Sequence, residues 1–80
     1  MGFIMIEVDV ELDLKGMSCP MPLLKAKQAL SKMNQGEVLR VQATDPGSVR
    51  DFACFARISG HKLLASDDTA GVFVFTLEHK

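Results

Sequence analysis

The sequence predicts an α+β two-layer sandwich with the order β-α-β-α-β-β, a four-stranded mixed sheet and two helices on one face. Apolar and polar residues alternate over residues 7–14 and 37–44, which is typical of half-buried strands. After residue 20, and again after residue 46, the apolar period lengthens to that of an amphipathic helix. Because the connections are short, each β-α-β unit is expected to be a right-handed crossover between parallel strands. The last two strands are then a hairpin.

The first half of the chain predicts a strand, a helix and a second strand. In residues 7–14, EVDVELDL, valine and leucine alternate with acidic residues, so this strand has one acidic face. Helical spacing relates four apolar residues, namely Leu23, Ala26, Leu30 and Met33. Gly36 is the predicted C-terminal cap of that helix. The alternation then returns in residues 37–44, EVLRVQAT, which predict the second strand.

The second half predicts another helix and a hairpin. Asp45 is the expected N-cap, with Pro46 at the first helical position. Gly60 is expected to end this helix. The last two strands are predicted over residues 61–66 and 72–79, joined by a turn in residues 67–71, DDTAG.

Length and composition predict one cytoplasmic domain. The 80 residues fit a single domain over residues 1–80, with residues 1–5 as a short tail. The net charge of −1 implies no strong attraction to nucleic acid or membrane, and no apolar run approaches the length of a membrane span. The two cysteines, Cys19 and Cys54, are too few for a disulfide framework and too far apart for a zinc site. We therefore expect reduced thiols and no metal.

Cys19 lies in an unusual context, between Ser18 and the prolines of CPMP in GMSCPMPLLKAKQAL. If Cys19 is the N-cap, both prolines occupy first-turn positions whose N–H groups have no helical partner. The N–H groups of Met21 and Leu23 then remain free to face the sulfur. A helix N-terminus lowers the pKa of a cysteine and favours an anion, so this position predicts a reactive thiolate or persulfide.

Cys19 also has alternative interpretations. A single cysteine is often a small buried apolar residue, which would make the protein a regulatory or protein-binding module with a structural Cys19. A hydrolase would need a histidine and an orienting group in a cleft, and the only histidines are His61 and His79. Nucleic-acid binding is disfavoured by the balanced charge and the absence of an aromatic and basic ladder. Sulfur transfer suits an isolated reactive cysteine better than acyl chemistry.

The stretch GMSCPMPLLKAKQAL resembles the signature of the TusA/SirA-like (YedF-like) family of small sulfur carriers. The family motif is C-P-x-P at the start of the first helix, here residues 19–22. Further family-like segments are LDLKG, QGEVLRV, TDPGSVRDF and SGHKLL, so the resemblance extends over nearly the whole chain. It implies the same β-α-β-α-β-β sandwich. TusA proper carries arginine immediately before the cysteine, where this chain has Ser18.

The resemblance implies that Cys19 accepts a sulfane sulfur as a persulfide from a cysteine desulfurase or a rhodanese. A downstream acceptor such as a DsrE-like protein would then receive it, for tRNA 2-thiouridine synthesis or related sulfur or selenium trafficking. The protein would be a sulfurtransferase-type carrier rather than a stand-alone turnover enzyme. We expect no cofactor, no direct contact with nucleic acid or membrane, and a monomer.

Several other residues are candidates for supporting roles. The motif that supports the cysteine is predicted to comprise Gly16, Pro20, Met21, Pro22 and Leu23. A partner-docking rim is predicted from Met17, Lys25, Lys27, Lys32 and Arg50, whose cations would meet acidic partners. Cys54 is expected to be a packing residue. Val72 and Val74 share a sheet face that is expected to be apolar and open, so it would be covered by a partner, a second copy or the N-terminal tail.

Overall fold

A four-stranded mixed sheet carries both helices on one face, as predicted. The computed structural model describes residues 7–80, so the predicted tail over residues 1–5 lies outside the described residues. The elements, in chain order, are β1 (Val10–Asp13), α1 (Met21–Ser31), β2 (Val38–Ala43), α2 (Gly47–Ser59), β3 (Lys62–Thr69) and β4 (Val72–Glu78). The predicted order β-α-β-α-β-β is therefore confirmed.

The strands lie in the order β1-β2-β4-β3 across the sheet. β1 and β2 are parallel, with Val10 opposite Leu39, and α1 forms the crossover between them. β4 is antiparallel to both of its neighbours and lies between β2 and β3. This insertion makes the sheet mixed and leaves β2 and β3 pointing in the same direction, as the second crossover requires.

The core lies between the sheet and the two helices. Alternate residues of β2 and β4 face the helices, and Leu39, Val41 and Leu77 are completely buried there. On α2, the ring of Phe52 stacks on the ring of Phe75 with 4.4 Å between centroids and 11° between planes. Close packing of this kind fixes how far α2 lies from the sheet, and therefore where the first turn of α2 is held.

The beginning of α1 differs by one residue from the prediction. Pro20 occupies the N-cap position and α1 begins at Met21, so Cys19 lies one residue before the cap. The first helical hydrogen bond is donated by the Leu24 N–H to the Pro20 carbonyl, at 3.1 Å. The prolines still fall in the first turn, where they remove no helical bond.

Gly36 does not cap α1, contrary to the prediction. The helix ends at Ser31, with Lys32 as the C-cap in a right-handed conformation. Gly36 lies in the following turn with φ of +86°, and its N–H donates to the His79 carbonyl at 2.9 Å. The positive φ of this glycine therefore serves the turn between α1 and β2, which is hydrogen-bonded to the residue after β4. Apolar periodicity along the helix does not predict such a long-range contact.

The second helix begins and ends nearly as predicted. Its N-cap is Pro46 and it begins at Gly47, one residue later than expected. The prediction of Asp45 as the N-cap is therefore wrong by one residue, although Oδ2 of Asp45 accepts a hydrogen bond from the Gly47 N–H at 3.0 Å and so satisfies one free donor at the helix start. Gly60 ends the helix in the left-handed conformation, with φ of +88°, which confirms that prediction.

The predicted turn over residues 67–71 is too long. β3 continues to Thr69, and Asp67 pairs with Val74 across the hairpin. Only Ala70 and Gly71 form the turn, with φ of +53° and +82°. Two successive positive φ values match the right-handed twist of a two-residue hairpin, which lets the strand run up to the turn through two aspartates.

The sheet face opposite the helices is more polar than predicted. Val72 and Val74 are half-buried on this face, and a shallow groove of about 450 Å³ crosses it. Its lining is mostly polar: Arg40, Gln42, Ala65, Asp67, Thr69, Val74 and Thr76. Within residues 7–80, no helix is both long enough and apolar enough to cross a membrane.

Candidate functional site

Cys19 lies where the first turns of the two helices meet. The loop after β1 carries Cys19 to the start of α1 and places it beside the first residue of α2. A Cβ added to Gly47 would lie 3.8 Å from the Cβ of Cys19 and only 2.9 Å from Oδ2 of Asp45. A Cβ at position 47 would therefore require the Asp45 carboxylate, the end of a flexible side chain, to shift. The sulfur, Asp45 and the start of α2 therefore form one compact site.

The thiol of Cys19 is exposed and has a defined partner. Its S–H donates to Oδ2 of Asp51 at 2.9 Å. Asp51 lies one turn into α2, four residues after Gly47, so its side chain is on the flank of the helix that faces α1. The pair joins two segments that are 32 residues apart in sequence.

The surroundings raise the pKa of the Cys19 thiol above its ordinary value. The main cause is the hydrogen bond to Asp51, which requires the protonated sulfur; partial desolvation and the negative charges of Asp51 and Asp45 act in the same direction. Arg50 is the cation that lines the same depression. The pKa of Cys19 is therefore dominated by carboxylates, despite the nearby helix N-terminus.

This result corrects the sequence-based prediction of a lowered pKa. That prediction relied on free backbone N–H groups facing the sulfur. In the structure the Met21 N–H donates instead to the Ser18 carbonyl at 2.9 Å, because the chain makes a tight turn before α1 begins. The partner of the sulfur is a carboxylate from the other helix, and a carboxylate stabilises the thiol rather than the thiolate.

A shallow depression of about 540 Å³ opens beside the sulfur. Its lining comprises Cys19, Pro46, Gly47, Val49, Arg50, Asp51 and Ala53. Val49 is 43% exposed, and on the α1 side Met21 is 41% exposed. Exposed apolar side chains around a shallow depression, next to an exposed thiol, suit contact with another protein better than enclosure of a small molecule.

The predicted supporting motif divides into anchors and exposed residues. Pro22 is buried and Leu23 packs against the core, so these two fix the loop to the domain. Met17, which was predicted to belong to the docking rim, also packs against the core. Gly16 has φ of +87°, and its N–H donates to Oγ1 of Thr44 at 2.9 Å, which ties the loop to the end of β2. Of the motif residues, Met21 is the large apolar side chain that remains exposed beside Cys19.

The predicted basic rim is not gathered around the sulfur. Lys27, Lys32 and Arg50 are exposed and Lys25 is half-buried, but among the four only Arg50 lines the depression. The Nζ of Lys27 lies 5.9 Å from the centre of the Phe55 ring and belongs to the other end of the helix pair. Lys32 follows the last residue of α1, also away from Cys19.

A second cluster, here called the histidine end, lies at the far end of the helices. The rings of His61 and His79 are 4.7 Å apart, and the Phe55 ring lies 5.6 Å from His61. Desolvation lowers the pKa of His61 below its ordinary value, and the charges of His79 and Lys80 add to this effect. In the described part of the chain, His, Cys, Asp and Glu side chains form no group of three that could hold a metal ion.

Cys54, the second cysteine, lies in the middle of α2. Its side chain is partly buried, and its Sγ accepts a contact from Nη2 of Arg57 at 3.6 Å. Cys54 is absent from the lining of the depression beside Cys19.

Asp51 is the site residue that the sequence reasoning missed. It lies within TDPGSVRDF, a segment noted for its helix start and for its resemblance to the family. The prediction of two helices on one face of the sheet gave a signal, since neighbouring helices bring the flank of α2 one turn after Asp45 toward the first turn of α1. Identifying Asp51 from that signal would also have required the relative height of the two helices, which depends on tertiary packing.

Comparisons with known proteins agree with this fold and identify a family. The family described as Sulfurtransferase TusA matches residues 10–79. The chain is 47% identical over 74 residues to the sulfur carrier protein TusA of Allochromatium vinosum, covering 92% of this chain and 97% of the relative. It is 49% identical over 69 residues to a putative sulfur carrier protein of Neisseria meningitidis, covering 86% and 93%. A crystal structure of a SirA-like protein from Desulfitobacterium hafniense superimposes with a TM-score of 0.78 at 25% identity, covering 88% of this chain and 96% of that one.

Proposed function

This chain belongs to the TusA family, and from that premise we propose that it is a sulfur carrier that holds a sulfane sulfur as a persulfide on Cys19. The observation that carries the proposal is the position of the thiol. Cys19 is exposed, lies between two helix starts and borders an open depression. A sulfur in this position is accessible to a partner protein without any opening of the fold.

The proposed chemistry is a thiol–persulfide exchange. The sulfur of Cys19 attacks the terminal sulfur of a donor persulfide, so that a new S–S bond forms on Cys19 while the donor S–S bond breaks. The bonding electrons leave with the donor sulfur, which ends as a thiol after gaining the proton that Cys19 loses. The exchange involves no net oxidation, and delivery to an acceptor thiol is the same reaction in the opposite direction.

The proposed partners are proteins on both sides of this exchange. We propose a cysteine desulfurase or a rhodanese as donor and a DsrE-like protein as acceptor, in tRNA 2-thiouridine synthesis or related sulfur or selenium traffic in the cytoplasm. The net charge of −1 and the apolar surroundings of the sulfur support protein contact over direct binding of nucleic acid. The proposed docking surface consists of Met21, Val49 and Arg50, and the carrier acts as a monomer.

Intact-protein and peptide mass spectrometry test the proposal. The full chain is incubated with a cysteine desulfurase and free cysteine, and in a parallel reaction with a rhodanese and thiosulfate. We expect one additional sulfur on the peptide that contains Cys19, removed by dithiothreitol. Cys19→Ser should gain none, whereas the matched variant Cys54→Ser should gain as much as the natural chain.

A contrary result would favour the alternative function. If the added sulfur appears only on Cys54, or on neither cysteine with either donor, Cys19 is not the carrier residue. A protein-binding module with a structural Cys19 would instead retain partner binding after Cys19→Ser, measured by calorimetry with the isolated partner.

A further inference from the structure

Asp51 makes a contact that is not needed merely to expose the sulfur of Cys19. A thiol in water requires no partner, and a nucleophilic cysteine is usually placed beside cations or backbone N–H groups, which lower its pKa. Here the S–H donates to the Asp51 carboxylate at 2.9 Å, with the Asp45 carboxylate nearby as a second negative charge. The charged groups that face the sulfur are thus two carboxylates, with the Arg50 guanidinium at the edge of the depression.

We infer that Asp51 is a positioning residue that holds the Cys19 thiol while the carrier is empty and releases the sulfur once it carries a persulfide. This inference rests on the proposed function, because it concerns the two states of a sulfur carrier. It assigns to one carboxylate the task of distinguishing those states.

The empty and the loaded carrier differ in whether the sulfur has a hydrogen to donate to Asp51. The empty thiol is protonated, so it can donate to the Asp51 carboxylate. A persulfide S–S–H is a stronger acid than a thiol, so near neutral pH the loaded sulfur is an anion with no hydrogen to donate. Its negative charge is then next to a carboxylate, and like charges at this distance repel. The terminal sulfur is therefore directed away from Asp51, toward the open depression and Arg50.

The hold also affects how the empty carrier reacts. A thiol kept protonated is a weak nucleophile toward small electrophiles in solution, so the idle carrier is protected. A donor protein that brings a cation to the depression competes for Asp51 and frees the sulfur to ionise. On exchange the proton that was shared with Asp51 ends on the donor sulfur, and Asp51 remains a carboxylate throughout.

The effect of the hydrogen bond between the Cys19 thiol and Asp51 is tested by the pH dependence of alkylation. The full chain in a Cys54→Ser background is treated with iodoacetamide, an uncharged reagent, from about pH 6 to pH 10, a range that spans ordinary thiol ionisation. We expect Asp51→Asn to move the rate profile of Cys19 to lower pH and to raise the rate near pH 7.5 by roughly two- to fivefold, the range typical of exposed charge interactions. Asp68→Asn, which removes an exposed carboxylate on β3, is the matched control and should leave the profile unchanged.

The release of the persulfide from Asp51 is tested by alkylation of the loaded carrier. After loading, the persulfide of the natural chain and that of Asp51→Asn should be alkylated at equal rates near neutral pH, since both are anions out of contact with residue 51. Coincident profiles of the two empty proteins would overturn the inference even if both load sulfur normally. If the profiles differ but the natural chain never gains a sulfur, the proposed function fails and the release fails with it, while the contact between Asp51 and the thiol stands.

Discussion

The two ends of the helix pair carry different chemistry but follow one electrostatic rule. At the sulfur end, defined by Cys19, Asp45 and Asp51, a hydrogen-bonded carboxylate raises the pKa of a thiol. At the histidine end, desolvation and the neighbouring cations lower the pKa of His61. In both places the surroundings oppose the ionised form of the central group. The charged groups at each end therefore favour the neutral form of its central side chain, and an incoming molecule that alters the local charge can change that balance.

Helix α2 links the two ends through the core. Asp51 and Phe52 are consecutive, yet Asp51 accepts the hydrogen bond from Cys19 while Phe52 is completely buried against Phe75. The helical rotation between neighbours separates their surroundings. A change at position 52 should therefore disturb both ends through the fold, and a change at position 51 should alter only the chemistry of the sulfur end.

The largest expected effect comes from removing the ring that supports both ends. Phe52→Ala empties a fully buried site stacked on Phe75 and should lower the free energy of unfolding by about 3–5 kcal/mol. Urea unfolding monitored by circular dichroism measures this loss. The matched change Val49→Ala, at a 43% exposed position of the same helix, should cost less than about 1 kcal/mol. Equal losses for the two variants would contradict the assignment of Phe52 to the core.

Phe52 and Asp51 also differ in how well the sequence alone could predict their roles. Apolar periodicity after residue 46 predicted the amphipathic helix that carries Phe52, and alternation predicted the strands that this helix packs against, because both patterns are local. Asp51 and the Gly36 turn depend on contacts between distant segments, so their roles required the packed structure. The pKa of Cys19 is raised and not lowered for the same reason. The CPMP motif predicted the helix start, but the carboxylate that contacts the sulfur belongs to the other helix.

The next largest effect is an increase in stability, and it is expected at the sulfur end. The Oγ of Ser48 is buried, and no group within residues 7–80 gives it a hydrogen-bond partner. Ser48→Ala removes this unsatisfied hydroxyl and should raise the free energy of unfolding by about 1 kcal/mol. Ser66→Ala, at an exposed strand position, is the control and should change little. A loss of stability in Ser48→Ala would mean that the hydroxyl has a partner after all.

Asp45 should affect the chemistry of the sulfur end with almost no effect on the fold. Its charge raises the pKa of Cys19 without a hydrogen bond to the sulfur. Asn caps helices about as well as Asp, so Asp45→Asn should change the free energy of unfolding by less than about 0.5 kcal/mol. The alkylation profile of Cys19 should move to lower pH, by less than in Asp51→Asn. A larger shift than that of Asp51→Asn would show that charge, and not the hydrogen bond, governs the thiol.

The smallest effect is expected at the histidine end, where it appears as a pH dependence of stability. The pKa of His61 is lowered in the fold, so the unfolded chain binds a proton at His61 more readily. Stability from this residue is therefore fully present above the unfolded value of about 6.5 and is lost as the pH falls through the lower folded pKa. The urea midpoint of the natural chain should fall between about pH 7 and pH 5 by more than that of His61→Gln, with a difference of a fraction of a kcal/mol. Parallel midpoints in the two proteins would show that the surroundings of His61 do not oppose its ionised form, and the electrostatic rule would then hold at the sulfur end alone.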